Sequence, residues 1–350
     1  MAVSASEQAT QLIISQDGAK GLPGDNGTDG SGFNNVRKSK IDSPLLQILK
    51  TNDLASVSAP LNTNADVTWS RATAATYIDI YGDLQTAGID EPREEMDGFL
   101  IEGTSTNLFL NSAVGVTQSV AINNSSVYTA SFITGAGSIT LSDGGSGVVA
   151  SGSSVTFTST STNVTMTVSG QADNVQLEEL PFKSSYIVTA GSSVTRLADS
   201  VTVAVNNNIG LLSQDHSVTY NFSTLGNIGD RQYLFSVNND SVFDRAHVLF
   251  SDNNVMLDYS NTNATNVTVG AYDNKHNMVA TFDSALELIT YHDGVLVTQS
   301  TIASAETVKP LTFNLGGKST AGQELYGYIN DFRVYDFILN QDEVTYLSGV

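Results

Sequence analysis

The chain has 350 residues, with 15 Lys and Arg against 36 Asp and Glu, for a formal net charge of -21. So acidic a balance excludes nucleic acid or an anionic lipid surface as the partner, since both require a basic face, and no stretch approaches the roughly 18 apolar residues of a membrane span. With no cysteine, neither disulfides nor thiolate metal sites can brace the fold; stability must come from the 40% hydrophobic residues and from association between chains.

The opening MAVSASEQATQLIISQ carries neither the basic flank nor the apolar run of a secretory signal, which predicts a product soluble where it is made. Residues 1–17 read as a tail. The next stretch, GAKGLPGDNGTDGSG at residues 18–32, places glycine at 18, 21, 24, 27 and 30. Glycine at every third position is what three polyproline-II chains need around a shared axis, where only a hydrogen side chain fits. The expectation is a collagen-like neck of about 45 Å in a parallel homotrimer. Pro23 is its only proline, so a flexible polar linker is the alternative. Residues 33–65 read as a linker with one short helix. Ser43 caps it, Pro44 suits its first turn, and Leu45, Leu46, Ile48 and Leu49 form an apolar stripe before Asn52 and Asp53.

From residue 66 the pattern changes to short β-runs. Alternation through Tyr77, Asp79 and Tyr81 ends in a Tyr-Gly-Asp turn and resumes at Phe99, Leu100 and Ile101. Residues 113–174 read as the strands SVYTASFIT, SITLS, SVTFTS and NVTMTVS, with a turn at Asp143-Gly144-Gly145. Val164, Met166 and Val168 alternate with hydroxyl residues, as in an antiparallel sandwich with one face in water; a solvated low-complexity stalk is the alternative. From about 201 the same rhythm continues with larger side chains. Asp293-Gly294 inside ITYHDGVLVTQS is a hairpin signal, and Asn340 with Glu343 makes a capping box for a last helix. The fold class is all-β.

Three segments carry a resemblance. Arg71, Thr73, Ala75, Thr76, Tyr77 and Asp79, then Glu91-Pro92-Arg93, Gly98 to Glu102 and Thr106-Asn107-Leu108 resemble a segment of bacteriophage tail-fibre and virion-surface proteins. VQLEELPFKSSYIVTAGSSVTRLADSVTV, residues 175–203, resembles the end of the small jelly-roll module that follows in those proteins. LTFNLGG followed by Gly327, Tyr328, Ile329, Asp331, Phe332, Arg333 and Tyr335 resembles the end of a concanavalin A-like or laminin-G-like sandwich.

These resemblances imply a jelly-roll-like phage-fibre module at 66–200 and a concanavalin A-like β-sandwich at 201–350. They imply a virion surface appendage, made in the host cytoplasm, that docks on other phage virion proteins through its N-terminus. As a homotrimer it would contact host-surface polysaccharide through the sandwich. A head or tail decoration fibre with a structural role is the alternative, and a polysaccharide depolymerase the third.

Arg71, Arg93 and Arg196 stand beside carboxylates such as Asp90, Glu91, Glu94, Glu102 and Asp199. They are either substrate clamps or, the better reading, forks that tie irregular backbone to several acceptors at once. No Gly-x-Ser-x-Gly elbow occurs. His216, His247, His276 and His292 are scattered without zinc spacing and read as packed or surface histidines, so no catalytic residue is assigned and no enzyme is expected. Glycoside hydrolysis needs only two carboxylates, which 36 acidic residues leave open. The clusters at Asp90-Glu91 and Glu94-Glu95-x-Asp97, however, fall in the phage-like segment.

The laminin-G resemblance leaves room for calcium, and NNDSVFD (238–244) and SDNN (251–254) have suitable oxygens. Those are also ordinary β-turn residues, so no cofactor and no metal ligand is assigned. For glycan, Tyr259, Tyr272 and Tyr291 are candidate platforms, with sheet packing the alternative; Trp69 is expected in the core.

Overall fold

The computed structural model describes residues 46–49, 65–205, 215–237, 245–249, 254–259, 262–268, 275–283, 287–301, 312–317 and 323–349. The tail 1–17, the glycine-triplet neck 18–32 and the calcium-type segments 238–244 and 251–253 lie outside them.

The expected alternation produces two β-sandwiches. The larger stacks an eight-stranded sheet on a seven-stranded one. The first runs Val295–Thr301, Glu287–His292, His276–Phe282, His216–Thr224, Gly327–Tyr335, Gly98–Ile101 and Glu94–Glu95, with Leu46–Leu49 as the eighth strand, also paired with Gly327–Tyr335. The second runs Ala65–Ser70, Ser200–Val205, Thr312–Leu315, Gln232–Val237, Arg245–Leu249, Asn254–Tyr259 and Thr262–Thr268. Period-two alternation turns Tyr220 and Phe222 inward, and a β-bulge between Ile329 and Phe332 keeps both of those inward as well, so that the four meet Val201, Val203, Phe235 and Phe313. Phe332 lies 5.4 Å from Phe313 and 5.8 Å from Phe235, both edge-on, the offset that ring quadrupoles favour. Trp69 packs on this core 5.2 Å from Phe99, as expected.

The outward residues of the eight-stranded sheet are covered too. Val279, Tyr291 and Tyr335 cluster with Leu339 and Val344, so the helix Gln341–Ser348 closes that face. Both halves of the expected capping box form, with Asn340 accepting from the Glu343 N–H and Glu343 from the Asn340 N–H.

The smaller sandwich packs Ser154–Thr158, Val127–Thr134 and Asp173–Glu178 against Gly147–Ala150, Ser138–Asp143, Asn163–Ser169 and Gln118–Ala121. Its core holds Phe109, Tyr128, Phe132, Ile139, Val164, Met166 and Leu177. Alternation of Val164 and Met166 with hydroxyl residues is therefore a buried face, and the solvated stalk is set aside.

Two expectations change. Leu46–Leu49 is a strand rather than part of a helix. It pairs antiparallel with Gly327–Tyr335, Ile48 opposite Phe332, along the stretch of that nine-residue strand that Gly98–Ile101 leaves open. A row of unpaired backbone groups on a long core strand outweighs a weak helix preference spread over four residues. The boundary expected at 200/201 is also not where the sheets part. Ala65–Ser70 pairs with Ser200–Val205, Trp69 opposite Val201, and Gly98–Ile101 pairs with Gly327–Tyr335. Ala65–Ser70, Glu94–Glu95 and Gly98–Ile101 thus belong to the larger sandwich, with Ala75–Ile78 and Leu84–Ala87 forming a separate two-stranded hairpin between them. The smaller sandwich is inserted between Ile101 and Ser200, where Ser105–Asn107 and Val194–Arg196 form a two-stranded ribbon as the chain leaves and returns.

Candidate functional site

The ribbon meets the larger sandwich in a buried ion cluster. Arg71 Nη1 donates to Asp199 Oδ1 at 2.8 Å, and Arg93 donates to Glu102 Oε2 at 2.7 Å and to Asp199 Oδ2 at 2.5 Å. Arg196 Nη1 lies 3.4 Å from Glu102 Oε2. Glu102 opens the insertion, Arg196 ends the returning strand of its ribbon, and Asp199 closes it. The remaining donors of Arg71 reach the carbonyls of Thr73, Gly88 and Glu91. Arg71 and Arg93, which also reaches the Thr76 carbonyl, therefore act as the expected backbone ties, whereas Arg196 meets Glu102 through charge alone. Burial alone would raise the Glu102 carboxyl, but Arg196, Arg93 and Ser185 outweigh it and bring it down to about 2.

Beside this cluster lies a cleft of about 230 Å³ between the two sandwiches. Tyr77 lines it from the hairpin strand Ala75–Ile78, Glu95 and Tyr328 from the larger sandwich, Asn174 and Gln176 from the smaller, and Lys183 from the returning segment. Glu95 accepts from the Ile78 N–H at 2.8 Å and from the Tyr328 hydroxyl at 2.7 Å, while burial pushes its carboxyl up. Burial and the neighbouring Glu95 carboxylate push the Tyr328 phenol up in turn. Lys183 Nζ donates to Gly152 O at 3.1 Å. Aromatic faces, an amide and fixed polar groups in one concavity are the chemistry of a small polar ligand with apolar patches, at the small end of ligand-site size.

The tyrosines singled out from sequence do not converge. Tyr291 is buried, 6% exposed, beneath the C-terminal helix, so its ring is core rather than platform; its outward position on the sheet is where that helix docks. Tyr259 ends the strand Asn254–Tyr259, and Tyr272 lies outside the described residues. The cleft tyrosines, Tyr77, Tyr186 and Tyr328, stand out in the sequence through resemblance motifs and, for Tyr77, strand alternation, but not as a site, because the cleft exists only once the two sandwiches meet.

The histidines separate. His216 is buried and stacks on Phe282 at 4.5 Å, as expected of a packed histidine, and His247 belongs to the strand Arg245–Leu249. His276 and His292, however, come together. The antiparallel strands His276–Phe282 and Glu287–His292 bring His292 Nε2 to 3.0 Å from His276 Nδ1, with the Asp293 carboxylate beside both. Burial pushes the His292 imidazole down despite Asp293.

Residues 182–345 match the family described as Concanavalin A-like lectin/glucanases superfamily. This segment is a concanavalin A-like domain. Ala65–Ser70 and Gly98–Ile101 add strands from outside the matched range to the sheets of the concanavalin A-like domain. No curated protein matches the chain in sequence.

Among solved structures, the chain is similar to the receptor-binding domain of botulinum neurotoxin C/D mosaic serotype, with 15% identity and a TM-score of 0.37 over 43% of this chain and 40% of that one. The binding domain of botulinum neurotoxin DC in complex with rat synaptotagmin II gives the same values. Trypanosoma rangeli sialidase, in complex with 2,3-difluoro-KDN, has 14% identity and a TM-score of 0.34 over 39% and 23%. The chain thus spans less than half the length of each.

Proposed function

We propose that the protein is a non-catalytic, homotrimeric phage virion fibre protein that recognises host-surface glycan through its concanavalin A-like domain. The observation that carries this reading is the lectin/glucanase-type match at 182–345. The phage-like motifs between Arg71 and Leu108 and between Val175 and Val203 support the particle assignment, and the glycine triplets at 18–32 support the trimer. Three weak sugar sites on one support hold a repetitive polymer far better than one does. Binding rather than hydrolysis is favoured because the carboxylates lining the cleft are committed, Glu95 to Ile78 and Tyr328 and Glu102 to arginines and Ser185.

The test is the full chain on whole host cells. Expected are saturable binding that purified host polysaccharide competes away, no release of reducing ends, and a light-scattering mass three times that of the 37.0 kDa chain. Absence of cell binding, with particles that fall apart without the protein, points to decoration and overturns the adhesin. Release of reducing ends overturns the non-catalytic reading, and a lone chain in solution overturns the trimer.

A further inference from the structure

His276 begins one strand of the eight-stranded sheet, and His292 ends the neighbouring one. Asp293 follows at once in the two-residue turn, where Asp293 at φ 48° and Gly294 at φ 78° reverse the chain. His292 Nε2 lies 3.0 Å from His276 Nδ1 and 3.2 Å from Asp293 Oδ2, and His276 Nδ1 lies 3.6 Å from that oxygen. These separations bracket the edge of a coordination tetrahedron, which is about 3.3 Å for metal–ligand bonds of about 2.0–2.1 Å.

One cation would satisfy all three converging atoms at once. The carboxylate is also held in place. Asp293 Oδ1 accepts the Asn277 N–H at 2.8 Å and the Asp293 N–H donates to Asn277 O at 2.8 Å, which leaves Oδ2 for the rings. His276 is buried against Phe222 at 5.6 Å, while the Asp293 side chain is 45% exposed, so the group opens to solvent on one side.

We propose that His276, His292 and Asp293 form a binding site for a divalent transition-metal ion of the zinc class, with one position open to water or to an oxygen of a bound molecule. Two imidazole nitrogens and one carboxylate oxygen suit such an ion. Calcium, which takes six to eight oxygens, they do not suit. Among the described residues this is the one cluster of three or more such ligands whose donor atoms converge.

The test is titration of the chelator-treated full chain with Zn2+ by calorimetry and with Co2+ by visible absorption. Expected are one ion per chain with micromolar or tighter affinity, the spectrum of low-coordinate cobalt, and a higher melting temperature with zinc. His292→Ala and Asp293→Asn should each weaken binding at least 10-fold, and His247→Ala should leave it unchanged. Asp293→Asn keeps the acceptor for Asn277, and circular dichroism checks that each variant is folded. Absence of saturable binding to the wild type, binding unaltered in both site variants, or equal loss in His247→Ala would overturn the proposal.

Discussion

Glu102 and Glu178, both wholly buried, are joined through two consecutive residues: Ser184 donates its N–H and hydroxyl to Glu178, and Ser185 donates its N–H and hydroxyl to Glu102. Their surroundings differ in one respect. Glu102 faces Arg93 and Arg196, whereas Glu178 is held by the hydroxyls of Ser105 and Ser184, the Ser184 N–H and the Gln176 amide. The carboxyl of Glu102 is therefore lowered, to about 2, and burial raises that of Glu178.

Isosteric neutralisation should separate the pair. Glu102→Gln leaves buried guanidinium charge uncompensated and should cost about 3–5 kcal/mol. Glu178→Gln keeps an acceptor for Ser184 and Gln176 and turns donors toward two hydroxyls that can accept, so it should stay within about 1 kcal/mol of wild type. Denaturant unfolding at neutral pH reads both; equal losses would refute the assignment.

Acid should release the clamp. A carboxyl whose folded value lies below its unfolded one stabilises the protein above the unfolded value, about 4.5 for Glu102, and that stability is lost as pH falls toward about 2. The loss should be on the order of 3 kcal/mol. Glu178 has the opposite sign: its raised folded value gives a contribution present below about 4.5 and lost as pH rises through that folded value. Melting temperature followed from pH 5 to pH 2 should fall less steeply in Glu102→Gln than in wild type, and somewhat more steeply in Glu178→Gln.

Gly98 should not accept a side chain. At φ 133° its backbone suits glycine alone, and a Cβ there would stand 2.6 Å from Ile329 O on the paired strand. Gly98→Ala should destabilise the larger sandwich by about 2–4 kcal/mol, measured by chemical denaturation.

The last helix is held to the sheet by Leu339 and Val344 and started by Asn340. Asn340→Ala removes the acceptor for the Glu343 N–H and should cost about 1 kcal/mol. Because Tyr291 lies beneath that helix, the near-ultraviolet circular dichroism of the tyrosines should change with it.

Features carried by neighbouring residues are legible in the amino-acid sequence by itself. Period-two alternation marks Asn163–Ser169, Asp293-Gly294 marks its hairpin, and Asn340 with Glu343 marks the helix start, because a few adjacent torsions and hydrogen bonds decide each. Arg71 is legible as a tie for the same reason, since the carbonyls of Thr73, Gly88 and Glu91 lie nearby in the chain, whereas the carboxylate it shares with Arg93, Asp199, is 128 residues away and is not. What tertiary structure alone decided is everything that depends on which distant strands pair. Leu46–Leu49 became a strand because Gly327–Tyr335 had an open edge. The small sandwich became an insertion because Ala65–Ser70 found Ser200–Val205. Two histidines sixteen residues apart became neighbours because their strands run antiparallel. Backbone pairing between remote segments is set by the energy of the whole core and leaves no local pattern in either segment, so its products, the cleft and the histidine cluster included, exist only in the folded chain.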